Sequence, residues 1–395
     1  MIYLDNAATS PVDEEVFDAM LPYLREEYGN PSGKYYCKAV NAKNAVEEAR
    51  EKVAALIGAE SEEIIFTAGA TESTNLVIKG FMDYSKFYGS GKNHLITSKA
   101  EHKATLNVCK FLNGEIYSNH DATTSLFSSN EIVDRGYSVT FLDVNKYGTV
   151  DFGSFESAVN SSTAMVSLIY VNNEIGSVND FQDISDLCSK NNIALHVDAT
   201  QALGKVNVDV KELNCRYMSM SAHKIYGPKG VGCAYIKGDK YGLPPMTSLL
   251  HGGEQENGIR AGTLAVHNIV GFGKAAEIAI RDMKKNQLVI NELDDYLTTR
   301  INEIKDVKIL IDTQHRVKGI VSLLVDRTNF NNERFIKKIS SDIAVSTGSA
   351  CSAGEPSHVI AALGQKQNVS KIIRISMNKF TKKEDIDLVI ELLKQ

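Results

Sequence analysis

Ile64-Ile65-Phe66-Thr67-Ala68-Gly69-Ala70-Thr71-Glu72-Ser73-Thr74-Asn75 changes character partway along. It enters as an apolar run suited to a strand, narrows to small residues, and leaves as a helix start that Thr71 or Ser73 can cap. Unpaired backbone N–H groups and the positive end of the helix dipole make such a turn a phosphate site. Taken alone it reads as structural, since most strand-to-helix turns of small residues bind nothing. Working outward, further short apolar runs stand at Glu63–Phe66, His94–Thr97, Val139–Leu142, Met165–Val171, Ile193–Val197, Arg216–Met220 and Val231–Ile236, with helical patterns between them. That alternation predicts an α/β fold around a mostly parallel seven-stranded sheet covered by helices on both faces, which binds ligands at the carboxyl ends of its strands.

From Val266 onward the pattern becomes a long helix, strands at Ile320–Val325 and Lys371–Ser376, and a charged final helix. The expectation is a large domain over residues 16–265 and a smaller α+β domain built from 1–15 and 266–395, carrying a mobile Gly/Ser/Thr-rich loop at 345–356. Residues 113–136 are polar, lack apolar periodicity and read as a surface insertion. The net charge of -6 is spread among 43 basic and 49 acidic residues, which argues against general nucleic-acid binding. Neither a signal peptide nor a membrane span is evident, and a cytoplasmic protein with reduced thiols is expected. The six cysteines form no C-x-x-C pair, so no metal site is expected.

Three further segments carry candidate chemistry. In His196-Val197-Asp198-Ala199-Thr200-Gln201 an acid ends an apolar strand; buried, it needs a cation or several donors, and read alone it is an ordinary helix N-cap. In Ser219-Met220-Ser221-Ala222-His223-Lys224-Ile225-Tyr226-Gly227 a lysine sits among small and hydroxyl-bearing residues, where burial would make it a Schiff-base amine. In Ser346-Thr347-Gly348-Ser349-Ala350-Cys351-Ser352-Ala353-Gly354 a thiol has no apolar cover, whereas the other five cysteines are expected to be buried and inert. Nucleotide fingerprints do not fit: Gly89-Ser90-Gly91-Lys92 lacks the earlier glycine of a P-loop, and Gly227-Pro228-Lys229-Gly230-Val231-Gly232 precedes a strand.

Together with Tyr3-Leu4-Asp5-Asn6-Ala7-Ala8-Thr9, Gly29-Asn30-Pro31-Ser32, Glu101-His102-Lys103, Val171-Asn172-Asn173-Glu174-Ile175-Gly176 and Arg260-Ala261-Gly262-Thr263, these segments resemble the NifS-like cysteine desulfurases of the class V aminotransferase group, within fold-type I pyridoxal-phosphate enzymes. The resemblance spans nearly the whole chain. It implies that Lys224 holds pyridoxal 5'-phosphate as a Schiff base, that His102 stacks on the ring and shuttles protons, and that Asp198 pairs with the pyridinium nitrogen, keeping the ring an electron sink. It also implies that Gln201 and Asn173 meet the phenolic oxygen and the substrate side. Ala70, Thr71, Ser221 and His223 would hold the phosphate, with Thr263 from a partner subunit, hence a homodimer. Arg374 would grip the substrate carboxylate, and Cys351 would take sulfur from L-cysteine as a persulfide, leaving alanine, and pass it to an acceptor protein in iron–sulfur cluster assembly or thiolation. Selenocysteine lyase or another class V aminotransferase is the alternative activity. A catalytically silent scaffold for sulfur-transfer proteins is the alternative of a different kind. The chain departs from the family in a shorter loop after Cys351 and a longer segment at 113–136.

Overall fold

In the computed structural model, the described residues are 1–115, 133–239, 241–242, 244–348 and 356–394. The loop centre with Cys351, and most of the polar insertion, lie outside them. Twelve strands occur among the described residues: β1 Ile2–Tyr3, β2 Ile64–Thr67, β3 His94–Ser98, β4 Ser138–Leu142, β5 Thr163–Ile169, β6 Ala194–Asp198, β7 Tyr217–Ser221, β8 Gly232–Ile236, β9 Val307–Ile309, β10 Ile320–Val325, β11 Ile343–Ala344 and β12 Ile372–Ser376. The helices are α1 Glu14–Arg25, α2 Cys37–Leu56, α3 Ala70–Phe87, α4 Lys103–Leu112, α5 Phe152–Ala158, α6 Gln182–Lys190, α7 Val266–Ile301, α8 Asn332–Ile339, α9 His358–Ala362 and α10 Lys383–Lys394.

The main sheet runs β2-β8-β7-β6-β5-β3-β4. Every residue of β5, β6 and β7 is buried, as a strand covered on both faces requires. Four neighbouring pairs are parallel, while β8 is antiparallel to both β7 and β2. Because β8 alone is reversed, its first residue meets the last residues of its neighbours, with Gly232 opposite Thr67 and Ser221. A side chain at Gly232 would press within 2.4 Å of the Met220 carbonyl and 2.7 Å of Gly69 Cα, so glycine lets the β2–α3 turn lie against the end of β7. The carboxyl ends of β2, β6 and β7 therefore open on one edge.

The second sheet is antiparallel, in the order β12-β10-β9. Its core joins Leu4, Leu293, Leu297, Val321, Ile373 and Leu393, while the first half of α7 packs into the main core through Val266, Phe272 and Ala276. β1 pairs in parallel with β11, and the chain after it delivers Ala7, Ala8 and Thr9 to the sheet edge. No helix among the described residues is long and apolar enough to cross a membrane.

His196 shows how the sheet disposes of a polar residue. Buried on β6, it meets Ser167 Oγ of β5 through Nδ1 and Ser219 Oγ of β7 through Nε2, both at 2.8 Å. Burial pushes its pKa down from 6.5 to about 4, against the pull of Asp198. Between those values the unfolded chain binds a proton that the folded chain refuses, so this residue makes stability fall as pH falls. At about 1.4 kcal/mol per pH unit, the loss at pH 5 is about 2 kcal/mol. Urea unfolding at pH 7.5 and pH 5 should show a shallower pH dependence for His196→Asn than for the parent; equal slopes would remove His196 from the account.

Candidate active site

A cavity of about 780 Å³ occupies the carboxyl edge. Of the residues singled out in the sequence, Ala70, Thr71, His102, Asn173, Asp198, Gln201, Ser221, His223, Lys224 and Arg374 all line it. Thr263 does not; it is exposed, just beyond Arg260, whose guanidinium pairs with Glu72 at 2.7 Å. Cys351 lies outside the described residues. One expectation is corrected: Cys109, Cys188, Cys215 and Cys233 are buried, but Cys37 is exposed. It opens α2 as its first residue, ahead of the face that carries Ala39, Ala42 and Val46 into the core.

Lys224 ends a short 3-10 turn directly after β7, and its ammonium donates to the carbonyls of Ala7 and Ala8, each at 2.7 Å. Asp198 is buried at the end of β6, where Oδ1 accepts the Thr200 N–H at 3.0 Å. Since Ala199–Gln201 continue as a turn, the carboxylate caps no helix. Gly69, in the positive-φ region, is the N-cap of α3 and gives it no side-chain cap, and Gly69, Ala70 and Thr71 at this helix start line the cavity together with Ser221. His223 lines the same cavity, with Nδ1 at 3.1 Å from Thr9 Oγ1. Burial, then Lys224, Lys229 and Lys205, push its pKa down to about 4.

His102 is the N-cap of α4, and Nδ1 accepts the Ala104 N–H at 3.1 Å. An accepting Nδ1 places the proton of the neutral ring on Nε2. Burial lowers the pKa of His102; Asp198 pulls it back up, and Lys224, His358 and Lys103 add to the lowering. The helix dipole acts in the same sense as burial. The neutral form, with one fixed tautomer, is thus the working state near pH 7. Next to it, burial and then Asp198 raise the carboxyl pKa of Glu101 well above the usual range, although Ser98 Oγ donates to Oε1 at 2.6 Å.

Arg374 on β12 is buried. Nη2 donates to Asp5 Oδ1 at 2.6 Å, Nη1 to the carbonyls of Asn173 and Gly348 at 2.7 and 3.0 Å, and Nε has no partner among the described residues. Ser346 bridges to the Arg374 backbone. On the far side of the loop, Ser357 Oγ donates to Glu174 Oε2 at 2.5 Å, and His358 Nε2 donates to the Glu101 carbonyl at 2.8 Å. Both flanks of the Cys351 loop are therefore fastened to the cavity wall. His358 and Thr200 line the cavity without having been singled out. For His358 the only local signal was its place after Glu355-Pro356-Ser357, with Ser357 capping α9.

Besides Arg374 Nε, three buried atoms on this wall lack a partner among the described residues: Asn173 Oδ1, Thr200 Oγ1 and Gln201 Oε1. Each leaves a cost of about 1–3 kcal/mol unless a ligand meets it. A lysine amine, a buried carboxylate, an uncapped helix start and unmet polar atoms around one cavity fit a flat, polar, phosphate-bearing aldehyde such as pyridoxal phosphate.

The chain matches the family model described as "Aminotransferase class-V" over residues 2–389. It is 40% identical to the cysteine desulfurase IscS of Rickettsia felis over 396 aligned positions, covering 99% of this chain and 90% of that protein. Against the protein of the same name from Methylobacillus flagellatus it is 38% identical, covering 100% and 91%. Among solved structures, a NifS-like protein superposes with a TM-score of 0.86 at 31% identity, covering 100% of this chain and 98% of that one. A structure of SspA in complex with cysteine superposes with a TM-score of 0.78 at 31% identity, covering 97% and 100%.

Proposed function

The chain belongs to the class V aminotransferase family, in its group of IscS- and NifS-like cysteine desulfurases, and on that footing we propose that it takes sulfur from L-cysteine as a persulfide on Cys351, leaving L-alanine. The observation that carries the reading is the convergence of Lys224, Asp198, His102 and Arg374 on one cavity whose rim fastens both flanks of the Cys351 loop. Pyridoxal phosphate, held by Lys224 and Asp198 with its phosphate at the α3 start, Ser221 and His223, supplies the electron sink.

The chain's own groups would do the rest. Arg374 would meet the substrate carboxylate; its Nη groups are already engaged with Asp5 and two carbonyls, which fixes the direction of its fork. Lys224, once free, would take the α-proton at Nζ, with the carbonyls of Ala7 and Ala8 at hand to orient the amine. His102 would donate and recover a proton at Nε2, because Nδ1 is committed to the Ala104 amide. Cys351 thiolate would attack the substrate sulfur. In an extended chain three residues span at most about 11 Å. Cys351 is thus tethered within about that distance of Gly348, whose carbonyl touches Arg374, and a short loop suffices to reach the cavity.

The reading includes a cytosolic homodimer, in which Thr263 of one subunit would contact the phosphate in the other. Its support is that Thr263 is exposed and absent from its own cavity wall. It also includes a protein acceptor of the sulfur, a cluster-assembly scaffold or a thiolation enzyme. Purified protein supplied with pyridoxal phosphate, L-cysteine and dithiothreitol should form alanine and sulfide in equal amounts. Amino-group transfer to a 2-oxo acid without sulfide would instead mark a plain aminotransferase.

A further inference from the structure

Behind Lys224 lies a second chamber of about 330 Å³, between the turn at Lys205, the middle of α7 and the loop before β10. Lys224 lines both spaces, so they share a wall. Four cationic residues line the chamber, namely Lys205, Lys224, Arg316 and Lys318; no Asp or Glu does so among the described residues. Amides from Asn286 and Asn291 on α7 add donors.

The four cations are not equivalent. Arg316 is bound to the buried carboxylate of Asp294 through two contacts, at 2.7 and 2.8 Å, and Lys318 holds Asp295 at 2.6 Å. Lys205 has no hydrogen bond or ion pair from its amine among the described residues, although its carbonyl is fixed by Gln287 Nε2 at 2.9 Å. Enclosure, and then the charge on Lys224, push its pKa down to about 7. A lysine fixed by its backbone, facing an acid-free chamber and repelled by a second lysine, is an electrostatic debt that an anion would cancel.

We propose that this chamber binds a small oxyanion, of carboxylate, sulfate or phosphate size, against Lys205 and the amides of α7. The volume admits such an ion with some of its water, at the small end of ligand pockets. Bound there, the ion sits on the far side of Lys224 from the main cavity, so its charge acts on the active amine without touching substrate. Coupling of this kind is reciprocal: whatever alters charge at Lys224 alters anion affinity in the chamber. The site stands whether or not the chain takes sulfur from cysteine.

The test uses the cofactor-loaded enzyme, so that the phosphate site of the main cavity is filled. Brief acetylation by an N-hydroxysuccinimide ester at pH 7.5, read by peptide mass spectrometry, reports how much of each lysine is free base and open. In sodium chloride, Lys205 should react several-fold faster than the exposed Lys366. In sulfate at equal ionic strength, Lys205 should slow at least about fivefold and Lys366 should not, as charging and covering the amine both remove its reactivity. Parallel arms with acetate and phosphate identify the preferred anion. Lys205→Gln should abolish the heat of sulfate binding measured by calorimetry. Equal labelling of Lys205 in all four salts, or slowing shared equally by Lys366, overturns the site in the parent protein, whatever the variant does.

Discussion

Lys224→Ala should lose both sulfide and alanine formation by at least about 10⁴-fold, since in the proposed reading one substitution removes both the covalent anchor and the proton-transfer base. The fold should survive. Lys224 sits at the junction of two cavities, and the carbonyls of Ala7 and Ala8 that it engages line the larger one, where water can replace the ammonium. Thermal unfolding of apo forms should therefore change little. Lys224→Arg sharpens the result. Arginine keeps the positive charge and can reach the same carbonyls, yet it stays protonated and cannot serve as a free amine. Both variants should be equally inactive and should lack the absorbance of lysine-bound cofactor. Residual activity above about 1% in either, in the same alanine and sulfide assay, would show that the amine is not the acting group.

The residues that position this lysine were legible to different degrees, for physical reasons. β5, β6 and β7 stood out because strands buried on both faces are written as short, mostly apolar runs, and each of the seven runs picked from the sequence overlaps a strand of the sheet. β1, β9 and β11 were missed. They are two or three residues long, and β1 pairs with β11 across most of the chain, through a register that no local pattern encodes. The reversal of β8, which brings Gly232 to the edge, is likewise a pairing fact. Asp198, read alone, suggested a helix cap; only the absence of a helix after it exposes the carboxylate to the cavity. His102 was found through family likeness, but its neutrality and tautomer come from capping α4, which takes the folded chain to see. The acid-free walls around Lys205 are assembled from separate segments scattered between Asn6 and Met377 and left no trace in the sequence. Cys37 went the other way, since a cysteine's usual burial gives no warning that this one begins a helix on the exposed side.

Cys351→Ser should release no sulfide, yet keep the cofactor colour and still change its spectrum when cysteine is added. The two halves of that result separate the thiol from the ring chemistry. In the proposed reading, seating cysteine and removing its α-proton depend on Lys224, Asp198, His102 and Arg374, all of which line the cavity and none of which the substitution replaces. Attack on the substrate sulfur needs a thiolate. An unperturbed thiol near pKa 8.5 is a few per cent ionised at neutral pH, while serine's hydroxyl is not ionised at all, so this step should fall by at least about 10³-fold. Cys37→Ser is the matched control. It is the one exposed cysteine among the described residues, and the buried four have thiols whose pKa values burial pushes up, to about 12 for Cys188 and Cys215. If access alone made a sulfur carrier, Cys37 would compete. It does not line the cavity, whereas the described chain on either side of Cys351 is fastened there, Gly348 to Arg374 and Ser357 to Glu174. Cys37→Ser should therefore keep full activity with the persulfide still on Cys351, and Cys37 of the parent should carry none, as read by mass spectrometry of the cysteine-treated protein. Sulfide release by Cys351→Ser at the parent rate, or persulfide on Cys37 in place of Cys351, would take the acceptor role away from the loop.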